Sequence, residues 1–102
     1  MDNAIKIEKP FFGSDDFIAT ARAAVLDVVK SQLDPTDNVE IGIDDVYEVT
    51  HGYILGNQKA MISTTLPDGK YYEVTYDKDK NLMYIDCYVK FKQHVVGIEL
   101  SE

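Results

Sequence analysis

The chain has 102 residues, which supports one folded domain with a single core and leaves no room for a second domain. Apolar residues make up 45% and charged residues 27% of the chain, proportions that exclude an intrinsically disordered protein. Eighteen acidic residues against ten basic ones give a formal net charge of −8. This charge repels nucleic-acid phosphates and anionic membranes, so it disfavours direct nucleic-acid binding and favours a basic protein partner.

The cysteine content and the N-terminal stretch indicate a cytoplasmic protein. Cys87 is the single cysteine, so neither an internal disulfide nor a cysteine-ligated zinc site is possible. The N-terminal stretch MDNAIKIEKPFFGS carries charges and a proline where a signal peptide needs its apolar core. No segment approaches the roughly 20 apolar residues of a membrane span. We therefore expect no membrane anchor, no metal and no cofactor.

The first half of the chain predicts an extended lead followed by one helix. In residues 1–13 apolar and charged residues alternate before Pro10, which blocks a helix, so this lead either adds an edge strand or stays loose. A helix is predicted over residues 15–32, with Ser14 as its N-cap and two acidic residues in its first turn. Its apolar residues fall on one arc and predict an amphipathic helix that covers a sheet; they are Phe17, Ile18, Ala21, Ala24, Val25, Val28 and Val29.

After Asp34-Pro35 the apolar residues recur with period two, which is typical of strands. Four strands are predicted near residues 46–55, 59–66, 70–77 and 82–92, joined by short turns rich in turn-forming residues. They form an antiparallel meander over residues 46–92, and the final VVGIEL either adds a strand or packs as a tail. The predicted fold is α+β, a single two-layer domain over 1–102 with one helix on a four-stranded sheet, cystatin-like in general shape.

The turns predict how the strands pair. A three-residue turn at 67–69 pairs Leu66 with Lys70 and places Ile62 opposite Val74, and the last turn pairs Val74 with Ile85. The first hairpin is predicted to direct Tyr47, Val49, His51, Tyr53 and Leu55 toward the helix. The predicted core combines the helix arc with Val49, Ile62, Tyr72, Val74, Tyr76, Met83, Ile85, Cys87, Val89 and Phe91.

The face of the sheet away from the helix is the predicted binding site. Glu73 and Asp86 are expected directly opposite each other, where like charges are destabilising unless a partner neutralises them. Neighbouring tyrosines supply the rigid amphipathic surface that is enriched at binding hot spots. The predicted partner-binding residues are Glu48, Tyr71, Glu73, Tyr84, Asp86 and Tyr88. The alternative interpretation is an ordinary solvated sheet face.

A second acidic stretch precedes the sheet, in a segment without lysine or arginine between Ser31 and Gln58. Its functional interpretation is an acidic patch that steers a basic partner, formed by Asp34, Asp37, Glu40, Asp44 and Asp45. The simpler interpretation, which we favour, is a solvated loop that caps the next strand.

Enzymatic chemistry finds little support in the residue pattern. Glu73 and Asp86 could serve as an acid/base pair, and Cys87 with a histidine could serve as a nucleophile pair. The sequence implies no cleft for either pair. Nucleophile-elbow and glycine-rich phosphate-loop motifs are absent from the sequence. The run from Asp77 to Asn81 begins like a calcium loop, but Leu82 stands where that loop needs glycine. An enzyme is therefore not the favoured class.

Residues 57–91, NQKAMISTTLPDGKYYEVTYDKDKNLMYIDCYVKF, and 33–47, LDPTDNVEIGIDDVY, resemble a family of small uncharacterised proteins of bacteriophages and prophages of Gram-positive bacteria. The shared features are the TDN and DDVY segments, STTLPDG, YYE-x-TY and Y-x-D-x-Y. The chain departs from the family in its N-terminal lead and in Asp77-Lys78 at the last turn. The resemblance implies an accessory protein in the host cytoplasm that modulates a host component, including inhibition of a defence system. It implies no reaction and no site residue.

Three functional hypotheses follow. The first is a protein-binding module that docks a basic surface on the outward sheet face or pairs there with itself as a homodimer. The second is a small-molecule-binding or catalytic domain with a pocket near Tyr47, His51 and Tyr53. The third is a DNA mimic, which the negative charge permits and the scattered basic residues disfavour.

Overall fold

The computed structural model describes residues 4–6 and 14–100. The helix α1 spans Ser14–Gln32, with acidic residues in its first turn and Lys30 in its last, an arrangement that complements the helix dipole. The side chain of Ser14, the predicted N-cap, is not among the described parts of the structure, and neither are residues 1–3 and 7–13 of the lead. Two short 3-10 turns, Pro35–Asp37 and Ile43–Asp45, lead from α1 to the sheet.

Within the described residues the sheet has five antiparallel strands. They are β1 at Ala4–Lys6, β2 at Val46–Ile54, β3 at Asn57–Thr64, β4 at Lys70–Asp77 and β5 at Leu82–Val89. Their order across the sheet is β1-β5-β4-β3-β2, so β2 to β5 form the predicted meander and β1 adds an edge strand beside β5. One helix packed against this sheet confirms the α+β fold, for which cystatin-like is only a loose description.

The pairing of β4 with β5 is confirmed, whereas that of β3 with β4 differs from the prediction by two residues. Ile62 lies opposite Tyr72 rather than Val74. The turn is longer than predicted because side chains organise it: Thr64 Oγ1 accepts from the Leu66 N–H at 3.2 Å, and Asp68 Oδ1 accepts from the Lys70 N–H at 3.0 Å. A shift by an even number leaves every side chain on its predicted face.

A β-bulge in β2 overturns part of the predicted first hairpin. Glu48 pairs with Ile62 and Thr50 pairs with Met61, so Val49 is an extra residue. The bulge reverses the faces on its N-terminal side: Val46 is fully buried, while Tyr47 and Val49 are exposed. The prediction that Tyr47 and Val49 face the helix was therefore wrong. Beyond the bulge, the pairing of His51 with Ala60 places it on the helix side.

The core lies between α1 and the middle of the sheet. Its buried members are Phe17, Ala21, Ala24, Val25, Val29, Ile41, Val46, Ala60, Ile62, Tyr72, Val74, Tyr76, Met83 and Ile85. Four residues predicted for the core are exposed instead: Val49, Cys87, Val89 and Phe91. Val49 is exposed because it occupies the bulge. The other three are exposed because α1 contacts β2 and β3 and leaves the end of β5 uncovered.

Arg22 fixes α1 to the start of the sheet. Its Nε donates to the carbonyl oxygen of Val46 and its Nη2 donates to that of Ile43, both at 2.8 Å. The forked guanidinium thus satisfies two backbone acceptors on two successive elements. This contact holds α1 over the β2 side of the sheet.

Candidate functional site

The face of the sheet opposite α1 is the candidate site, and we call it the open face. Side chains alternate along each strand, so the neighbours of the buried residues on β3, β4 and β5 all point to this side. None of these outward side chains is fully buried, and no element of the described residues packs on them. The open face comprises Tyr47, Thr50, Lys59, Met61, Ser63, Tyr71, Glu73, Thr75, Tyr84, Asp86 and Tyr88.

Two tyrosines form an aromatic platform on the open face. Tyr71 and Tyr88 lie opposite each other on β4 and β5, and their rings stack with centroids 5.2 Å apart and planes inclined by 15°. Tyr47 and Ser63 continue the same row across β2 and β3. Stacked rings are held in place by each other and lose little further freedom when a partner covers them.

Glu73 and Asp86 lie directly opposite each other, as predicted, in the row next to the tyrosine pair. Lys59 on β3 offsets the like-charge repulsion, since its Nζ donates to Glu73 Oε1 at 2.8 Å. The Asp86 carboxylate is exposed and has no ion-pair partner among the described residues. The open face therefore carries one balanced carboxylate and one available carboxylate beside the aromatic rings.

The negative charges act on the tyrosine hydroxyl. The Glu73 carboxylate raises the pKa of Tyr88 above its ordinary value, with smaller contributions from desolvation and from Asp86. An anionic phenolate is disfavoured next to carboxylates. Tyr88 consequently keeps its proton at neutral pH and can donate a hydrogen bond to a partner.

Sequence reasoning missed Lys59 because of the two-residue shift between β3 and β4. The predicted pairing placed Lys59 opposite Asp77, whereas the structure places it opposite Thr75, diagonal to Glu73 and within ion-pair distance of it. It also missed Tyr47, which the bulge brings onto the open face. Neither the bulge nor the length of the turn had a signal in the residue pattern.

One predicted site residue lies elsewhere. Glu48 pairs with the buried Ile62, and its Oε1 lies 3.1 Å from His51 Nδ1. Glu48 is therefore on the helix side and not part of the open face, since the bulge reverses its orientation. The other five predicted residues, Tyr71, Glu73, Tyr84, Asp86 and Tyr88, share the open face.

The predicted acidic patch is divided between loop-capping and free carboxylates. Asp34 Oδ1 accepts from the N–H and hydroxyl of Thr36, and these hydrogen bonds lower the pKa of Asp34. Asp37 accepts from the Asp34 N–H and Asp45 from the Gly42 N–H. These three acids shape the loop, as in the simpler interpretation. Asp44 and Glu40 are exposed.

The region around His51 contains a small cavity on the helix side. Its volume is about 210 Å³, and its lining includes Phe17, His51, Gly52 and Tyr53. Tyr47 lies on the other face of the sheet and cannot contribute. Cys87 is on β5, three strands from β2, or roughly 14 Å away at about 4.8 Å per strand. A Cys87–His51 nucleophile pair is therefore excluded.

Among residues 4–6 and 14–100, no group of three or more histidine, cysteine or acidic side chains is arranged to hold a metal ion. Within the same ranges, no helix has the length and apolar content to cross a membrane.

Comparison with known proteins gives a family match. Residues 18–98 match a family of unknown function, DUF6275. No curated protein and no solved structure matches the chain. The match covers α1 from Ile18 onward and the whole meander, including every residue of the open face.

Proposed function

The chain belongs to the DUF6275 family, and we propose that it acts as a protein-binding module whose open face docks a basic surface of its partner. The observation that carries this proposal is the stacked Tyr71–Tyr88 pair beside the available carboxylate of Asp86. Tyrosine contributes a large contact area through few rotatable bonds, and stacking reduces even that freedom before the partner arrives.

The charge of the protein supports a basic partner. A net charge of −8 accelerates encounter with a positive surface and disfavours encounter with nucleic acid. At the site itself, Asp86 offers two oxygens that suit a partner arginine, with the Tyr88 hydroxyl next to it as a donor. Lys59 neutralises Glu73, so only one buried charge would need compensation by the partner.

The resemblance to phage and prophage proteins adds a biological setting to the proposal. In that setting the protein is an accessory factor in the cytoplasm of a host bacterium, and its partner is a host protein, such as a component of a defence system, that it modulates or inhibits. A small binding module with an exposed docking face suits such a role.

The proposal is tested by capture of partners from a host lysate with the full chain as bait. Asp86→Lys/Tyr88→Ala removes the available carboxylate and one ring of the stack, both on the surface. Asp27→Lys makes the same charge change on an exposed position of α1 and serves as the matched control. We expect the wild type and the control to retain a common partner and the double variant to lose it.

Two outcomes would contradict the proposal. Equal capture by the double variant, with its circular dichroism unchanged, would show that the open face is not the docking surface. Competition by duplex DNA for the captured protein would replace the open-face account with DNA mimicry.

A second candidate function is binding of a small ligand in the cavity beside His51, whose lining includes the apolar ring of Phe17 and whose volume of about 210 Å³ is below the roughly 300 Å³ at which typical ligand pockets begin. A thermal-shift screen tests it: a ligand of this cavity should raise the Tm of the wild type and not that of His51→Ala. A screen in which every stabilising compound acts equally on both proteins would contradict it.

A further inference from the structure

The C-terminal segment, residues 90–100, is an exposed apolar feature that the proposed function leaves unused. All its residues are exposed, and none belongs to a helix or strand. Its large apolar side chains are 77–97% exposed; they are Phe91, Val95, Val96, Ile98 and Leu100. A cluster of this kind in a water-soluble chain marks an interaction surface.

The residue pattern of the C-terminal segment is typical of a β-strand that is preceded by basic residues. Val96, Ile98 and Leu100 alternate with Gly97 and Glu99, which places the three apolar side chains on one side of an extended backbone. The preceding half contains Lys90, Lys92 and His94. The segment is therefore basic in its first half and apolar in its second.

The edge strand β2 complements the C-terminal segment, because acidic residues precede it and exposed apolar residues lie at its end. It is the last strand of the sheet, and among the described residues no strand lies beyond it. Acidic residues, including Glu40 and Asp44, precede it, and no lysine or arginine occurs between Ser31 and Gln58. Exposed apolar side chains, those of Tyr53, Ile54 and Leu55, lie at its other end. Unpaired edge strands readily accept a further strand where they are regular, and β2 is regular beyond its bulge, from Thr50 to Ile54.

We infer that the C-terminal segment of one chain adds to β2 of a second copy, and that two chains exchange these segments reciprocally. The segment runs from basic to apolar and the β2 region runs from acidic to apolar. Complementary regions therefore match only if the added segment runs parallel to β2. Parallel addition places Lys90 and Lys92 beside the acidic residues that precede β2, and the apolar half of the segment beside Tyr53, Ile54 and Leu55. Antiparallel addition would oppose the basic half to the apolar end and Glu99 to the acidic end.

The conformation of the segment favours a second copy over the chain's own sheet. After β5 ends at Val89 the segment leaves all its side chains exposed, so they are not packed against the chain's own β2. The radius of gyration is 16.2 Å, compared with about 13 Å for a compact domain of 100 residues. Reciprocal exchange buries both segments and closes the assembly as a symmetric dimer. This surface is distinct from the open face, and the inference goes beyond the proposed function.

Sedimentation of the full chain over a range of micromolar concentrations tests the inference. We expect a species of twice the 11.5 kDa chain mass at the upper end of that range. Val96→Asp/Ile98→Asp should remain monomeric at the same concentrations with an unchanged circular dichroism spectrum. Lys90→Glu/Lys92→Glu should weaken the dimer. An equimolar mixture of this variant with Glu40→Lys/Asp44→Lys should restore a dimer, because the acidic segment of the first chain then meets the basic residues before β2 of the second.

The matched control is the open-face variant Asp86→Lys/Tyr88→Ala, which should dimerise like the wild type whether or not it loses a lysate partner. Dissociation by this control would overturn the inference, because the dimer contact would then be the open face. A monomeric wild type, or a dimer that survives Val96→Asp/Ile98→Asp, would overturn it as well.

Crosslinking distinguishes exchange between chains from docking within one chain. In a Cys87→Ser background, Ile54→Cys and Leu100→Cys are placed on separate chains of different tag length and treated with a short bismaleimide. We expect a mixed crosslinked product. If crosslinks form only within a chain that carries both cysteines, the segment covers its own sheet and the inference is wrong.

Discussion

Lys59 Nζ lies 2.8 Å from Glu73 Oε1, and this ion pair decides how the open face tolerates its two facing carboxylates. Without it, Glu73 and Asp86 would repel each other across neighbouring strands. The lysine thus allows Asp86 to remain free for a partner without a large loss of stability.

Replacement of this lysine should expose the repulsion. Lys59→Met keeps the aliphatic stem and removes the charge, and we expect a loss of about 0.5–1 kcal/mol in the free energy of unfolding, the range for a partly exposed pair. Urea unfolding at low ionic strength measures it. Adding Glu73→Gln to Lys59→Met should recover most of the loss. No recovery would show that the carboxylate pair is not what the lysine offsets.

Arg22, which anchors α1 to the sheet, should contribute more to the free energy of unfolding than Lys59 does. Arg22→Ala leaves the carbonyl oxygens of Val46 and Ile43 without their guanidinium donors, at a cost of about 2–3 kcal/mol in the free energy of unfolding. Arg22→Lys should recover only part of it, because an ammonium group does not reproduce the forked geometry. Chemical denaturation of the three proteins checks both statements. Full recovery by lysine would contradict the two-acceptor role.

Stability at alkaline pH should depend on Tyr72. Its ring is 1% exposed, and burial, followed by the Cys87 thiol and Asp68, raises the pKa of Tyr72 to about 12 from 10.0. The unfolded chain therefore releases this proton first. The stability contribution is fully present below pH 10.0 and is lost as the pH rises toward about 12.

The measurement compares the urea midpoint of the wild type and of Tyr72→Phe across this pH range. The phenylalanine variant also loses a 3.3 Å hydrogen bond from the tyrosine hydroxyl to Gln32 Oε1, which lowers its midpoint at every pH. Its midpoint should nevertheless fall less steeply above pH 10.0 than that of the wild type. Parallel curves would contradict a raised pKa for Tyr72.

The predictable part of the structure is the part that depends on periodicity. The apolar arc of α1 and the period-two strands identified the layers, and the alternation placed Tyr71, Glu73, Asp86 and Tyr88 on the open face. These assignments survived the wrong pairing of β3 with β4, since a shift by two residues preserves the faces.

The unpredictable part depends on local hydrogen bonds and on the direction of the helix. The turn after β3 is lengthened by Thr64 and Asp68, whose side chains bond to the backbone in a way that composition does not show. The bulge at Val49 places Tyr47 on the open face and Glu48 on the helix side, the reverse of the predicted arrangement. The Arg22 anchor places α1 over β2 and β3, so Cys87 lies outside the core although its alternation suited it.

Tyrosine ring resonances test the central claim most directly. The seven tyrosines are labelled on the ring, and spectra are recorded with and without the partner recovered from lysate. The open-face account predicts large shifts or broadening for Tyr71 and Tyr88 and little change for the buried Tyr72 and Tyr76. Unchanged Tyr71 and Tyr88 resonances in a saturated complex would show that the partner binds elsewhere and would contradict the account.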